Sequence, residues 1–145
     1  HLAAHRAIAG ILVEHGIVRG TPEAAVAEGV TSVFFPHGIG HLLGLMVHDA
    51  GGFMAGPEGG TRPKPEGHPY LRLTRDLEAG FVVTIEPGIY FIESLLAKAK
   101  SNRTGHMIDW KCVAALQPFG GIRIEDNVVA GAGAPRNLTR AAFAA

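Results

Sequence analysis

The stretch that decides the fold is residues 81–92, which read FVVTIEPGIYFI. Its β-branched and aromatic side chains predict two strands, Phe81–Glu86 and Ile89–Ile92, because such residues favour extended backbone. The intervening Pro-Gly pair divides the run, since these two residues together mark a tight bend. The sequence therefore predicts a β-rich region in which the first strand ends on a glutamate.

Helices are predicted on both sides of this stretch. Apolar residues of Leu2–His15 recur at a helical spacing, and Gly16 is the expected C-terminal stop. Thr21 is expected to cap a short helix over Pro22–Glu28, because proline is favoured at the first helical position. A further short helix, with cations at its end, is predicted over Ser94–Lys100.

The remaining segments are predicted to be strands and loops. Val33–Phe53 indicates irregular strand and loop, and the Pro- and Gly-rich Met54–His68 indicates an exposed loop. Gly121–Val129 alternates apolar and charged residues, which predicts one half-buried strand carrying Arg123 and Glu125 on the same face. A turn and an extended tail are expected to close the chain.

Composition limits the function classes. The 145 residues correspond to about one domain, and 13 Lys and Arg balance 13 Asp and Glu. A nucleic-acid or anionic-membrane partner is not expected, because either favours a basic excess. No apolar run is long enough to span a bilayer. The single cysteine, Cys112, excludes an internal disulfide, favours a reducing cytoplasmic setting and is expected to be a small core residue.

Three histidines are candidates for a functional site. His37, His41 and His48 lie within twelve residues, and the first two are next to glycines. Glycine permits a ligand to approach the backbone closely, which favours a site. The alternative is that these are ordinary polar loop residues, although three histidines together make that less favourable than one alone.

Two carboxylates stand in apolar surroundings. Glu86 ends the run FVVTI, and Glu125 follows Ile124 in an otherwise apolar segment. A buried carboxylate needs a compensating cation, which a metal ion or Arg123 could supply, and the residues alone leave both open. Imidazole with carboxylates suits Mn²⁺, Zn²⁺ or Co²⁺. The sequence contains no HExxH, GxSxG or GxxxxGK[ST] motif, which excludes the zincin, serine-hydrolase and P-loop patterns.

Three segments together resemble a known family. PHGIGHLLGLMVHD (36–49), TIEPGIYFIESLL (84–96) and GGIRIEDNVV (120–129) resemble, in order and spacing, the C-terminal motifs of bacterial Xaa-Pro dipeptidases, or prolidases. These are pita-bread metallopeptidases related to aminopeptidase P and methionine aminopeptidase. The resemblance implies an α+β fold, the C-terminal half of a pita-bread fold, with a curved antiparallel-rich sheet and helices on its outer face.

The resemblance also implies a role for each candidate residue. Metal ligands would be His41, Glu86 and Glu125, with Glu86 also acting as the acid/base and Glu125 bridging two ions. Substrate contacts would come from His48 to the scissile carbonyl, His37 in the proline pocket, Arg72 to the terminal carboxylate, and Arg123 beside the metals. The implied cofactor is a pair of divalent ions, Mn²⁺ first and Co²⁺ or Zn²⁺ next, and the implied substrate is a dipeptide ending in proline.

The family pattern has two further ligands, both aspartates upstream of the histidine motif. All four aspartates here, Asp49, Asp76, Asp109 and Asp126, follow His41. The chain also begins with His rather than Met and has no signal-peptide pattern. We therefore expect residues 1–145 to be the C-terminal part of a longer protein's catalytic domain, without its first half and N-terminal domain.

The function expected of that parent is Xaa-Pro dipeptide hydrolysis, and the chain alone is expected to be inactive. Two alternatives are an organophosphorus acid anhydrolase-like activity and a non-catalytic fragment or binding module. Relatives are often homodimers, so a dimeric parent is expected, and the chain alone is expected to expose an apolar patch or self-associate.

Overall fold

A computed structural model describes residues 1–144, which form two compact units. The first unit combines His1–Pro36 with Gly88–Arg123, and the second combines His37–Pro87 with the residues from Ile124 onward. No helix in this described part of the chain is both long and apolar enough to cross a membrane.

Helices and short antiparallel strands make up the regular structure, so the predicted α+β class is confirmed. The helices are α1 (Leu2–Glu14), α2 (Pro22–Ala27), α3 (Thr31–Phe34), α4 (Glu93–Lys100), α5 (Trp110–Leu116) and α6 (Leu138–Phe143). The strands are β1 (Leu42–Leu43), β2 (Met54–Gly56), β3 (Gly59–Thr61), β4 (Val82–Ile85), β5 (Gly88–Tyr90), β6 (Gly121–Arg123), β7 (Asp126–Val129) and β8 (Arg136–Asn137). Turns of 3₁₀ helix occupy Ala50–Phe53, Arg103–Met107 and Gln117–Phe119.

The first unit is mainly helical. In α1 the buried residues are His5, Ile8, Ala9 and Leu12, a spacing that places them on one face of the helix. The hydroxyl of Thr21 accepts a hydrogen bond from Ala24 N and so caps α2 as predicted. Strands β5 and β6 pair antiparallel in this unit.

The second unit contains a four-stranded antiparallel sheet in the order β1-β4-β7-β8. Asp126, at the start of β7, accepts hydrogen bonds from Asn137 Nδ2 and Arg140 Nε. The Asn137 hydrogen bond, helped by Arg140, holds the pKa of Asp126 below its ordinary value. These contacts join α6 to the sheet next to the loop that carries Glu125.

Several local predictions are confirmed. The helices over Leu2–Glu14, Pro22–Ala27 and Glu93–Lys100 agree with the predicted segments to within a residue or so at each end. The strands Val82–Ile85 and Gly88–Tyr90 lie on the two sides of the predicted bend, although they belong to different sheets.

Other predictions are wrong. Gly121–Val129 is not one strand, because β6 ends at Arg123, pairs with β5, and gives way to β7, which pairs with β4. The segment Met54–His68 contains the hairpin β2–β3, and the tail forms α6 instead of remaining extended. Cys112 is half-buried on α5, so it is not a fully buried core residue.

Candidate metal centre

The pairing of β1 with β4 places three polar side chains on one face of the sheet. Leu42 pairs with Val83, so His41 lies opposite Thr84, whose backbone N donates to His41 O at 3.0 Å. Opposite residues of an antiparallel pair face the same side, as do residues two apart on one strand. His41, Thr84 and Glu86 therefore share a face.

The pairing of β4 with β7 adds Glu125 to this face. Ile85 pairs with Asp126, and the ladder continues because Ile124 N donates to Pro87 O at 3.1 Å. Glu125 thus lies opposite Glu86. One ligand atom from each of His41, Glu86 and Glu125 lies within 4.8 Å of the other two. The structure brings together the three residues expected as metal ligands.

The burial of the two glutamates differs. Glu86 is buried, with 7% of its surface exposed, as the apolar run before it predicts. Glu125 is exposed, so the expectation that it occupies a buried, apolar environment is wrong. The reason is that Ile124, whose apolar character suggested burial, is itself 55% exposed between β6 and β7.

The orientation of the His41 ring fits a metal ion. Its Nδ1 lies 3.3 Å from Leu42 O, the arrangement in which Nδ1–H donates and the Nε2 lone pair is left to bind a metal. Nε2 lies 3.4 Å from Glu86 Oε1. Two ligands each about 2.1 Å from a tetrahedral ion are separated by about 3.4 Å. The donor set, one imidazole and two carboxylates, therefore fits a divalent cation both chemically and in spacing.

Gly40 permits the close approach on which this arrangement depends. A Cβ at position 40 would lie 1.8 Å from Thr84 O, far inside any van der Waals contact. Glycine is therefore required here so that the residues before β1 can lie directly against β4.

Thr84 is a residue that the sequence reasoning missed. It is 1% exposed, its hydroxyl accepts from His41 N at 3.0 Å, and the same hydroxyl donates to Glu86 Oε1 at 3.0 Å. The available signal was its position two residues before Glu86 in a predicted strand, which places both side chains on one face.

His48 lies beside His41. The two ring centroids are 4.4 Å apart with their planes at 75°, and His48 is exposed. The next residue, Asp49, is bonded to β1, because its backbone N donates to Leu42 O, and its carboxylate caps the 3₁₀ turn Ala50–Phe53 by accepting from Gly51 N at 2.8 Å. The candidate centre therefore has an exposed imidazole next to His41.

His37 and Arg72 belong to the same unit. His37 is half-buried, and its Nδ1 donates to Gly38 O at 2.8 Å. The Arg72 side chain is exposed. A Cβ added at Gly38 would lie 3.3 Å from the backbone N of Arg72, and one added at Gly52 would lie 2.9 Å from its carbonyl O. The backbone of Arg72 is therefore packed against the glycine next to His37.

Arg123 lies in the first unit, at the end of β6. Its Nε donates to the Tyr90 hydroxyl at 2.6 Å, and its guanidinium carbon is 5.7 Å from the centre of the Tyr90 ring. The two contacts hold Arg123 across the β5–β6 pair.

The model of metallopeptidase family M24 matches residues 2–132, most of the chain. The chain belongs to metallopeptidase family M24. Membership of M24 implies divalent metal ions, for which His41, Glu86 and Glu125 offer donors.

The M24 chain is similar to curated dipeptidases along its whole length. It is 58% identical over 145 residues to the Xaa-Pro dipeptidase of Xanthomonas axonopodis pv. citri, and 54% identical over 145 residues to that of Stenotrophomonas maltophilia. It spans 33% of the length of each of these proteins. The resemblance drawn from the three motifs is confirmed.

Solved structures of aminopeptidase P are also similar to the M24 chain. The Escherichia coli enzyme with the inhibitor Pro-Leu superposes with a TM-score of 0.60 and 29% identity, over 97% of this chain and 25% of that one. Proline aminopeptidase P II of Yersinia pestis superposes with a TM-score of 0.59 and 30% identity, again over 97% of this chain and 25% of that one. This likeness confirms that the chain forms part of a pita-bread fold.

Proposed function

We propose that the intact protein carrying this chain is an Xaa-Pro dipeptidase. The observation that carries the proposal is the convergence of His41, Glu86 and Glu125 within 4.8 Å in a chain 58% identical to a protein of that activity. Because this chain spans a third of such proteins, the activity belongs to the whole molecule. The similar dipeptidases give no support to the organophosphate alternative.

His41, Glu86 and Glu125 would hold divalent ions, with Mn²⁺ the first choice and Co²⁺ or Zn²⁺ the next. Two further carboxylate ligands would come from another part of the protein. When bound, the ions would supply positive charge that polarises the scissile carbonyl and makes a water molecule more acidic.

Glu86 is the proposed acid/base. It accepts a proton on a carboxylate oxygen from the attacking water and returns it to the departing prolyl nitrogen. The register supports this role, because the same pairing that places Glu86 beside His41 fixes its backbone, whose N donates to Ile39 O at 2.7 Å. His48, held beside His41, would donate a hydrogen bond to the carbonyl oxygen as charge develops on it.

Substrate recognition is assigned to three further residues. His37 would line the proline pocket, and Arg72 would bind the free carboxylate of the dipeptide through charge-assisted hydrogen bonds. The exposure of the Arg72 side chain, with its backbone packed near His37, supports this role. The role of Arg123 stays a prediction of the family resemblance, and within the first unit the Tyr90 hydroxyl holds its guanidinium.

The test uses the intact protein loaded with Mn²⁺. We expect cleavage of an Xaa-Pro dipeptide and little cleavage of the same dipeptide with a C-terminal amide, because the amide removes the charge that Arg72 binds. Glu86→Gln should lower kcat roughly 10²–10⁴-fold, whereas Glu14→Gln, at an exposed position on α1, should leave it unchanged. Absence of Xaa-Pro cleavage by the loaded protein would contradict the proposal.

The chain alone is proposed to bind at most one ion, weakly, and to have no dipeptidase activity. Three ligands suffice for some single-metal sites but not for a pair of dications. The consecutive residues Leu45, Met46 and Val47 are 104%, 60% and 71% exposed, an apolar surface through which the isolated chain would self-associate. The intact enzyme is proposed to be cytoplasmic, from the single cysteine in this chain, and a homodimer.

A further inference from the structure

The Thr84 hydroxyl joins two of the proposed metal ligands. It accepts a hydrogen bond from the backbone N of His41 and donates its one proton to Glu86 Oε1, both at 3.0 Å. Glu86 Oε1 is also the oxygen that lies 3.4 Å from His41 Nε2. One buried hydroxyl therefore contacts the backbone of one ligand and the carboxylate of the other.

This contact fixes the direction of the Glu86 carboxylate. The Thr84 hydroxyl has one proton, and its donation to Glu86 Oε1 uses one of the two lone pairs of that oxygen. The second lone pair remains available on the side that faces His41. Thr84 and Glu86 are 1% and 7% exposed, so water does not compete effectively for the bond. The terminal torsion of a glutamate side chain has a broad minimum, so a hydrogen bond to one carboxylate oxygen narrows the range of its orientations.

The backbone adds a second restraint. Thr84 N donates to His41 O at 3.0 Å while His41 N donates to the Thr84 hydroxyl, so the two residues are joined in both directions. Gly40, whose Cβ position is 1.8 Å from Thr84 O, allows this approach. The hydroxyl is therefore held in place from the His41 side.

We propose that Thr84 is a positioning residue for the metal centre, which sets the carboxylate of Glu86 for metal binding through its hydroxyl. The proposal rests on the proposed function, because it takes His41 and Glu86 as metal ligands. Groups that hydrogen-bond to metal ligands in this way typically control metal affinity, and their loss costs roughly 10–100-fold.

The experiment measures Mn²⁺ affinity of the intact protein by isothermal titration calorimetry. Thr84→Val removes the hydroxyl at nearly constant shape, and Thr84→Ser retains it. Thr31→Val is the matched control, because Thr31 is also 1% exposed and its hydroxyl bonds His5 Nδ1 at 2.8 Å, and His5 is not one of the three proposed ligands. The visible spectrum of the Co²⁺-loaded protein reports coordination geometry independently of activity.

We expect Thr84→Val to raise the Kd for Mn²⁺ roughly 10–100-fold and to change the Co²⁺ spectrum. Thr84→Ser should restore both toward wild type. Thr31→Val should lower the unfolding temperature of the metal-free protein, as Thr84→Val does, but leave the Kd unchanged. A Kd for Thr84→Val equal to that of Thr31→Val would overturn the proposal, whereas a wild-type protein that binds no Mn²⁺ would overturn the proposed function itself.

A crystal structure of the metal-loaded wild-type protein tests the same point without a variant. We expect Thr84 Oγ1 to remain within hydrogen-bond distance of a Glu86 oxygen while Glu86 binds the ion. A hydroxyl turned away from Glu86 would overturn the proposal even if the threonine variants do not fold.

Discussion

Replacing Gly40 with alanine tests whether the segment before β1 lies directly against β4. The added methyl carbon would lie 1.8 Å from Thr84 O and 2.8 Å from Thr84 C. An ordinary carbon–oxygen contact is about 3.3 Å, so the two strands would have to separate by about 1.5 Å. The atoms in the way are backbone, which cannot rotate aside as a side chain would.

The separation would break the two bonds that join His41 to Thr84. Thr84 N to His41 O and His41 N to Thr84 Oγ1 are both 3.0 Å, and a further 1.5 Å places each pair beyond hydrogen-bonding distance. Two backbone donors, Thr84 N and His41 N, lose their acceptors, and each buried donor left without a partner costs about 1–3 kcal/mol. We therefore expect Gly40→Ala to lower the free energy of unfolding by about 2–6 kcal/mol, a large part of the 5–15 kcal/mol typical of native proteins.

Urea unfolding of the metal-free intact protein, followed by circular dichroism, measures this change. Gly10→Ala is the matched control, because Gly10 lies within α1 and a Cβ there meets no atom within 4 Å. That substitution should raise stability by about 0.5–1 kcal/mol. Gly40→Ala should also weaken Mn²⁺ binding, since His41 would move away from Glu86.

The reasoning would be refuted if Gly40→Ala unfolded at the same urea concentration as the wild type. It would also be refuted if Gly40→Ala and Gly10→Ala had the same effect, because the predicted difference comes only from the contact with Thr84.

Three further substitutions are predicted to have measurable effects. Thr21→Ala removes the cap of α2 and should cost about 1 kcal/mol in urea unfolding, with Thr21→Ser close to wild type. Hydrogen bonds from Cys112 N and then Arg19 hold the pKa of Asp109 below 3.8 in the folded protein. The ionised Asp109 therefore stabilises the fold above pH 3.8, and this stabilisation is lost as the pH falls through the lower pKa of the folded state. Asp109→Asn should therefore lose less stability than wild type when acidified from about pH 4, and an identical acid profile would contradict this. Arg72→Ala should raise KM for Xaa-Pro dipeptides by an amount equivalent to about 1.5–3 kcal/mol, and an unchanged KM would rule out its contact with the substrate carboxylate.

The sequence predicted the elements whose signals are local. The apolar spacing of α1, the Thr21-Pro22 start of α2 and the β-branched run of β4 are each contained within a few residues. Their prediction does not depend on which other segment they contact.

The break within Gly121–Val129 could not be predicted in the same way. The alternation continues through all nine residues, but the first part pairs with β5 and the second with β4, and pairing between distant segments leaves no local signal. The exposure of Glu125 follows from this break. α6 does have a local signal, because Asn137 is a favourable N-cap residue and its side chain accepts from Arg140 N.

Only part of the candidate site could be predicted from the sequence. His41 and Glu86 could be proposed from their glycine-rich and apolar surroundings, and the resemblance added a role for each. The contacts of Thr84 depend on the register that places residue 84 opposite residue 41, which only the paired strands reveal. Residue type alone does not distinguish this threonine from others in strands.

The most direct test of the account is anomalous X-ray diffraction from crystals of the intact protein loaded with Mn²⁺. We predict an anomalous peak at a Mn²⁺ ion that is coordinated by His41 Nε2 and by the carboxylates of Glu86 and Glu125, with further ligands from outside this chain. A peak elsewhere, or ordered Mn²⁺ that leaves any of the three side chains uncoordinated, would contradict the assignment of this metal centre.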